Sequence, residues 1–368
     1  MYLLFGYFLF VIYIFSLIFF IVGIFKVIKN NNPSPSFNNV SIIVCVRNGE
    51  SSICNILNDL KSQNYDGNLE FIIIDDNSTD KTKSLIFKFI EVDNRFKYYS
   101  TENMKSNLNH KKRALKLGID KSNYEWLLFT DVDCRVGKNW AKEMSKKYNS
   151  SDYVIGLSKV KEGKSLVSKF QSIDFNMLMI SACATAHMNY PLACSGQNQS
   201  YKKSIYLKVD GFEKIYSLLQ GDDSIFLQLC RKIKNIKISF STNSDSYVIA
   251  KTHSKWSDFL LQRVRWAGDA NIMWKYNKSF FIIILSTFHS NLFILYLILT
   301  KTFYPFVFLL VLKLLFEYLV YHLGNKKLNQ EKNNLSFIIW FLIQIPYIVC
   351  MGFGSFFVSQ IGWRGRRV

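Results

Sequence analysis

The segment that most constrains this chain is Met1–Phe25, which carries no charged side chain. About 20 consecutive apolar residues are enough for a helix to cross a bilayer. The segment has neither the basic start nor the small-residue cleavage site of a signal peptide, so it predicts a retained anchor. Lys26 and Lys29 follow it, and this positive charge places the next part of the chain in the cytoplasm.

Two further apolar segments, 280–299 and 303–323, predict a second and a third span joined by a very short turn. Lys313 and Glu317 lie inside the third segment, four residues apart. That spacing lets the two side chains pair on one helical face, which we expect to be turned toward protein rather than lipid.

The last apolar segment, 336–358, contains Pro346 and two glycines, and a basic tail with Arg364, Arg366 and Arg367 follows it. If it spans, the tail lies outside, against the positive-inside tendency. A re-entrant or interfacial segment would keep the tail inside, and we prefer that interpretation.

The composition narrows the possible partners. Lys and Arg number 46 against 27 acidic residues, a net charge of +19, which favours anionic partners. The basic residues are scattered and form no nucleic-acid-binding motif, so we expect anionic lipid or phosphorylated substrates and no nucleic acid. The seven cysteines are irregularly spaced without Cys-x-x-Cys, which argues against a disulfide framework or zinc site.

The polar-rich middle of the chain alternates between strand and helix patterns. β-rich runs lie at 41–46, 69–74, 97–100 and 126–130, and helical spacing of apolar residues occurs at 52–62, 81–90 and 111–119. This alternation predicts an α/β domain with a mostly parallel sheet flanked by helices.

Acidic pairs end two of these strands, Asp75 with Asp76 and Asp131 with Asp133. Ligands bind at the carboxyl ends of strands in open α/β sheets. Hard carboxylate oxygens suit Mg²⁺ or Mn²⁺ held together with substrate phosphates. The two pairs therefore predict a nucleotide-and-metal cleft, with the first accepting hydrogen bonds from a ribose or base.

Four motifs in order resemble inverting, membrane-anchored family 2 glycosyltransferases with the GT-A nucleotide-sugar fold, over roughly residues 40–270. They are Val46-Arg47-Asn48-Gly49-Glu50, Ile74-Asp75-Asp76-Asn77-Ser78-Thr79-Asp80, Phe129-Thr130-Asp131-Val132-Asp133 and Gln262-Arg263-Val264-Arg265-Trp266. Asn77 stands where the family usually has Gly, and Asn is among the few residues that tolerate the left-handed turn.

Gly221-Asp222-Asp223 occupies the place of the family's acidic acceptor-site motif, and the resemblance puts the catalytic base on Asp223. A helix N-terminus is the alternative reading of this acidic pair. The segments Cys194–Asn198 and Val209–Phe212 resemble further family elements more loosely, with Asp210 in place of a Gly.

The resemblance assigns roles to the remaining residues. Arg47, Glu50, Asp75, Asp76 and Asp131 would bind the donor, and Asp131 with Asp133 would hold the metal. Asp222, Gln262, Arg265 and Trp266 would contact acceptor or diphosphate. Gln262, Arg265 and Trp266 share one helical face. An amphipathic helix at the membrane surface would explain the same residues, and both interpretations can hold together.

For one basic stretch and one apolar stretch we prefer a structural interpretation to a functional one. Lys111-Lys112-Arg113 could reach phosphates, but we prefer a solvated helix start. The long apolar stretch 165–187 with Asp174 could line an acceptor path, but we prefer ordinary core.

We therefore predict an integral membrane protein of the bacterial inner membrane, with a cytoplasmic hexosyltransferase domain. The expected donor is a nucleotide sugar, UDP-linked by family habit, and the expected acceptor is a lipid or glycan. Processive polysaccharide synthesis is the alternative, and a non-catalytic scaffold or transporter a remote one. The predicted divisions are an anchor (1–28), a linker (29–39), a GT-A domain (40–279), a transmembrane hairpin (280–323), a cytoplasmic loop (324–335) and a fourth hydrophobic segment with basic tail (336–368).

Overall fold

The fold is taken from a computed structural model that describes residues 2–27 and 38–360. Most of the predicted linker 29–39, including Lys29, and the three arginines of the basic tail lie outside the described residues.

Ten strands and twelve α-helices are described, together with short 3-10 turns. The strands are β1 (Val40–Val46), β2 (Leu69–Asp75), β3 (Phe96–Ser100), β4 (Trp126–Asp131), β5 (Arg135–Val136), β6 (Tyr153–Gly156), β7 (Ser158–Val160), β8 (Gln199–Lys202), β9 (Ile238–Ser241) and β10 (Val248–Ala250). The helices are α1 (Tyr2–Phe25), α2 (Ile53–Lys61), α3 (Thr82–Ile90), α4 (His110–Lys121), α5 (Trp140–Ser145), α6 (Leu166–His187), α7 (Lys203–Lys208), α8 (Ser224–Cys230), α9 (Trp256–Ile272), α10 (Lys278–Leu299), α11 (Phe303–Lys327) and α12 (Asn334–Gly354).

Contacts within the chain divide it into two compact units. The helical unit comprises Met1–Val27, Val160–Met188 and Thr252–Val368, and the sheet unit comprises Ile28–Lys159 and Asn189–Lys251. The helical unit thus includes α6 and α9, which come from within the predicted range 40–279. The functional boundaries proposed from the sequence stay predictions.

The sheet unit is built on a seven-stranded sheet of order β3-β2-β1-β4-β8-β6-β9. The first four of these strands run parallel, whereas β8 is antiparallel to both β4 and β6. Both the mostly parallel sheet and the α/β class predicted from the sequence are confirmed. A second, three-stranded sheet has the order β5-β10-β7.

The register of the central strands brings the predicted site residues to one edge. Val46 at the end of β1 is paired with Asp75 on β2, and Cys45 is paired with Asp131 on β4. Strand β2 and most of β1 and β4 are buried, because the helices that connect them cover the sheet. The carboxyl ends of β1, β2 and β4 therefore meet at the same edge of the sheet, as the acidic pairs predicted.

The helical unit contains four helices that are long and apolar enough to cross a membrane, α1, α10, α11 and α12. Helix α6 packs among α1, α11 and α12, and much of it is buried, which agrees with the core interpretation of residues 165–187. A Cβ added to Gly23 of α1 would lie 2.4 Å from the Ala184 carbonyl oxygen of α6. Glycine at that position therefore permits the two backbones to approach closely.

The predicted pair inside the third span is confirmed. The Lys313 ammonium lies 2.6 Å from Glu317 Oε1, and both side chains are buried. The Tyr13 hydroxyl donates to the same carboxylate, and Gln344 Nε2 donates to its other oxygen at 2.5 Å. One buried ion pair thus ties α11 to α1 and α12.

The last hydrophobic segment departs from the expected re-entrant form. Helix α12 runs without a break through Pro346, and no reversing turn occurs within residues 334–354. A proline removes a single helical N–H, and the neighbouring helices α10 and α6 pack along the rest of α12. Helix α11 continues to Lys327, so the predicted loop 324–335 begins later than expected.

Candidate active site

The first two motifs interlock where β1 and β2 end. The backbone N–H of Asn48 donates to Ser78 Oγ at 2.9 Å, and Asn48 Oδ1 accepts from the N–H of Thr79 at 2.8 Å. Arg47 Nη1 donates to the Asp76 carbonyl at 3.0 Å. The two loops therefore form one hydrogen-bonded surface at the sheet edge.

Asp75 and Asp76 are both buried and hydrogen-bonded within the protein. Asp75 accepts from the N–H of Ser78 at 2.9 Å and from the Tyr98 hydroxyl at 3.0 Å. Burial, together with the Asp75 charge, raises the pKa of Tyr98 to about 12, so its hydroxyl stays a donor. Asp76 accepts from Arg113 Nη2 at 2.5 Å and from Thr101 Oγ1 at 2.7 Å.

Glu50 is an exposed residue at the rim of this surface. One of its carboxylate oxygens accepts from the Lys81 N–H at 3.3 Å, and its own N–H donates to Asp80 at 3.0 Å. Burial alone would raise the pKa of Asp80, but hydrogen bonds from Thr82 and the Glu50 N–H lower it. Asn77 has a φ of 59°, the left-handed conformation expected where Asn replaces Gly.

The candidate metal centre lies at the end of β4. Ligand atoms of Asp131, Asp133 and Cys134 lie within 4.8 Å of one another. Burial and the two neighbouring carboxylates raise the pKa of the Cys134 thiol well above its usual value, so it is protonated. The two partly exposed carboxylates are hard oxygen ligands, and they fit the predicted Mg²⁺ or Mn²⁺.

Lys111 connects this centre to the acidic motif that precedes α8. Its ammonium lies 2.9 Å from Asp131 Oδ1 and 3.2 Å from Asp222 Oδ2. Burial lowers the pKa of Lys111, but the charges of Asp131 and Asp222 outweigh that effect and raise it well above the usual value. A Cβ on Gly196 would lie 3.3 Å from both the ammonium and Asp222, so a residue without a side chain lines this point.

Asp223 lies beside Asp222 as the N-cap of α8. Its carboxylate accepts from the N–H of Ser224 and from the N–H of Gly196 at 3.3 Å. Burial, which is the larger cause, and the charge of Asp222 raise the pKa of Asp223 to about 6. The helix-start reading of this acidic pair is therefore correct for Asp223, and the same residue has the near-neutral pKa that a general base needs.

The preferred solvated reading of Lys111-Lys112-Arg113 is wrong. Each side chain is bound within the protein: Lys111 to two aspartates, Arg113 to Asp76, and Lys112 to backbone carbonyls between residues 215 and 220. Successive residues on a helix point about 100° apart, so one turn of α4 reaches three parts of the site. Three adjacent cations ahead of the strand that ends in Asp131 were the signal in the sequence.

The two looser motif elements have structural roles. Asn198 is buried, donates to the carbonyls of Leu157 and Ser246 at 2.8 Å, and accepts from Trp140 Nε1 at 3.0 Å. Asp210 adopts a φ of 62°, which explains how it can replace a glycine in the family pattern.

Gln262, Arg265 and Trp266 lie on α9 in the helical unit, all partly exposed. The buried side chain of this motif is Arg263, whose Nη2 lies 2.9 Å from Asp174 of α6. The Arg263 guanidinium lies 4.1 Å from the centre of the Trp266 ring. The sequence did not identify the Arg263–Asp174 pair, and the roles of the three predicted residues stay predictions.

Comparison with known proteins finds a family match over part of the chain and a shared fold. Residues 41–209 match the description of glycosyl transferase family 2. EpsH of Bacillus subtilis strain 168, named as a glycosyltransferase, is 31% identical over 105 residues, which cover 28% of this chain and 29% of EpsH. The GalNAc(5)-diNAcBac-PP-undecaprenol beta-1,3-glucosyltransferase of Campylobacter jejuni is 32% identical over 94 residues, 26% of this chain and 29% of that enzyme.

The chain therefore matches less than a third of the length of these two relatives. Among solved structures, the mannosyltransferase PcManGT from Pyrobaculum calidifontis, in complex with GDP-Man and Mn²⁺, superposes with a TM-score of 0.59 at 13% identity. That match covers 96% of this chain and 94% of PcManGT, and it shows a shared fold. Residues 41–209 thus match glycosyl transferase family 2, the fold is that of a GT-A glycosyltransferase, and the described part of the chain includes four helices long and apolar enough to span a membrane.

Proposed function

We propose that this chain transfers a sugar, with inversion, from a nucleotide sugar to a lipid-linked acceptor at the membrane. The single observation that carries the proposal is the Lys111 ammonium held between Asp131 and Asp222. It joins the carboxylate of a donor-side metal motif to the acidic motif expected on the acceptor side. This contact supports a donor site and an acceptor site that lie side by side in the sheet unit.

Asp223 is the proposed base. It removes the proton from an acceptor hydroxyl while the hydroxyl oxygen attacks the anomeric carbon, and the bond from that carbon to the diphosphate breaks. A positioned general base typically contributes ~10²–10⁴-fold to the rate, and it works best with a pKa close to the operating pH. The pKa of about 6 for Asp223 meets that condition.

Asp131 and Asp133 would hold a divalent ion, which supplies charge neutralisation for the departing diphosphate. Mn²⁺ in the PcManGT complex makes Mn²⁺ and Mg²⁺ the ions to test first. Arg47, Glu50, Asp75 and Asp76 form the proposed nucleotide surface. The donor is UDP-linked by family habit, while PcManGT was solved with GDP-Man, so both nucleotides belong in the test.

The proposed acceptor is a lipid-linked saccharide. The Campylobacter relative is named for an undecaprenol diphosphate acceptor, and four helices of this chain are long and apolar enough to span a membrane. Gln262, Arg265 and Trp266 on α9 are proposed to contact the diphosphate and the acceptor. Lys26 after the first span supports a cytoplasmic catalytic domain by the positive-inside tendency.

Purified full-length protein in lipid nanodiscs tests the proposal. A panel of UDP- and GDP-sugars with Mn²⁺ or Mg²⁺ is scored by thermal stabilisation, because a ligand bound only by the folded state adds about 2.7 kcal/mol at a hundred times its dissociation constant. The stabilising donor is then offered polyprenyl-diphosphate acceptors. Asp223→Asn should retain donor stabilisation and lose transfer, and normal turnover by a folded variant would reject Asp223 as the base.

Processive polysaccharide synthesis is the second candidate, favoured by the Gln-x-x-Arg-Trp pattern at residues 262–266. Radiolabelled product distinguishes the two activities. A discrete lipid-soluble species supports single transfer, and a ladder of sizes supports polymerisation. A non-catalytic scaffold is disfavoured, since every acidic position expected for catalysis carries an acid.

A further inference from the structure

Lys112 carries a fully buried charged side chain, and the proposed chemistry does not use it. Only 1% of it is exposed. Its ammonium donates to the carbonyl oxygens of Ile215 at 2.6 Å, Leu218, and Gln220 at 3.2 Å. An ammonium has three donors, and here they meet three carbonyls of one short segment.

That segment leads directly to the acidic pair. Residues 216–220, called the approach segment here, have neither helix nor strand, and the first two are exposed. At its start the Tyr216 N–H donates to the Glu213 carbonyl at 3.4 Å, a long hydrogen bond. Gly221 follows with a φ of 100°, a conformation that glycine adopts at little cost.

On its other side the acidic pair is held by the helix it begins. The Leu227 N–H donates to the Asp223 carbonyl at 2.8 Å, and Gln199 Nε2 donates to the Asp222 carbonyl at 3.2 Å. The downstream contacts thus fix the start of α8. Upstream of the acidic pair, the Lys112 ammonium binds the carbonyls of Ile215, Leu218 and Gln220.

We propose that Lys112 is a positioning residue, which clamps the approach segment and thereby sets the place of Asp222 and Asp223 relative to Lys111 and the metal centre. The geometry explains why a lysine is needed. Lys111 and Lys112 are neighbours on the first turn of α4, so one rigid turn holds Asp222 through its side chain and the preceding backbone through its carbonyls. Methionine at position 112 would fill the same space without any donor.

The inference rests on the proposed function for its kinetic consequence, but not for its structural one. The test compares Lys112→Met with Lys116→Met in full-length protein. Lys116 lies on the same helix, where its ammonium pairs with Asp120 at 3.0 Å near the surface. The matched control therefore removes a lysine from α4 without touching the approach segment.

Hydrogen exchange measured by mass spectrometry gives the first result. Amides of peptides covering residues 216–224 should exchange about tenfold or more faster in Lys112→Met, while those of β4 keep their protection. Lys116→Met should match the unchanged protein throughout. This measurement tests whether Lys112 holds the approach segment, and it does so even if no sugar transfer is found. Failure of the proposed function is therefore a separate outcome.

Kinetics give the second result. In Lys112→Met we expect kcat to fall ~10- to 10²-fold, within the contribution of a positioned base, while the donor KM stays within about twofold. A plain loss of folded protein would lower the amount of active enzyme without changing exchange in a single segment. Lys112→Gln, which keeps two donors on a shorter side chain, should be intermediate.

Unchanged exchange at residues 216–224 in Lys112→Met would overturn the proposal, as would equal losses in kcat and donor affinity. If neither Lys112→Met nor Lys112→Gln folds, Lys112 is a general folding residue and the proposal is likewise rejected.

Discussion

Replacement of Asp222 by Asn tests the electrostatics of the site through the pH dependence of turnover. The pKa of Asp223 is raised to about 6 by burial and by the charge of Asp222. A base is active only when it is deprotonated, so wild-type kcat should fall on the acid side of about pH 6. Asp222→Asn removes the repelling charge, and Asp223 then loses its proton more readily.

The size of the shift follows from Coulomb's law. Two unit charges about 5 Å apart interact by about 3 kcal/mol at an effective dielectric constant of about 20. That energy corresponds to about two pKa units, and solvent at the partly exposed Asp223 reduces it to about one. Asp222→Asn also removes one partner of Lys111. The positive charge of Lys111 is then left to favour ionised Asp223, which lowers the Asp223 pKa further. The acid limb of the profile should therefore move from about pH 6 to about pH 5.

The assay is kcat at saturating donor between about pH 4.5 and 8, the range over which a base of this kind titrates. Asp210→Asn is the matched control, since Asp210 lies on the surface of the same unit with 68% of its side chain exposed and Asn tolerates its positive φ. Its profile should coincide with that of the wild type. An acid limb that stays in place or moves to higher pH in Asp222→Asn would refute the reasoning, whatever the change in maximal rate.

Two further predictions concern the metal centre and the helical unit. Asp133→Asn should abolish the extra thermal stabilisation that Mn²⁺ gives with a nucleotide sugar. Asp131→Asn should have the same effect and should also release Lys111. Metal-dependent stabilisation that is retained in Asp133→Asn would reject the metal centre. Lys313→Met should destabilise the detergent-solubilised protein by about 3–5 kcal/mol, because Glu317 is left buried without its cation. Glu317→Gln in the same background should recover part of that loss, and no recovery would contradict the pairing.

The sequence predicted those parts of the site that depend on strand ends. Asp75, Asp76, Asp131 and Asp133 follow apolar runs, and parallel strands must bring such ends to one edge. That inference needs only the hydrophobic pattern and the rule for crossovers. For the same reason the pairing of Lys313 with Glu317 was predictable, since it depends only on helical spacing.

The side chains that the sequence did not identify are those whose partners come from distant parts of the chain. A lysine at a helix start is usually solvated, and nothing near Lys112 indicates that carbonyls about a hundred residues later will surround its ammonium. Periodicity likewise places Arg263 and Arg265 on different faces of α9. It does not indicate which face meets Asp174, because that depends on how α6 packs in the helical unit.

These distant contacts share a physical pattern that bears on mechanism. In the sheet unit each cation of the first turn of α4 holds a different partner: Arg113 holds Asp76 at the nucleotide surface, Lys111 holds Asp131 and Asp222, and Lys112 holds the backbone before Asp222. Asp76, Asp131 and Asp222 therefore each lie beside a fixed cation before any ligand arrives. In the proposed reaction, a preorganised site of this kind would need little rearrangement as charge develops on the departing diphosphate, and electrostatic stabilisation is then at its most effective. One helical turn thus supplies fixed cations to three parts of the site, in addition to the hydrogen bonds that join the loops after β1 and β2.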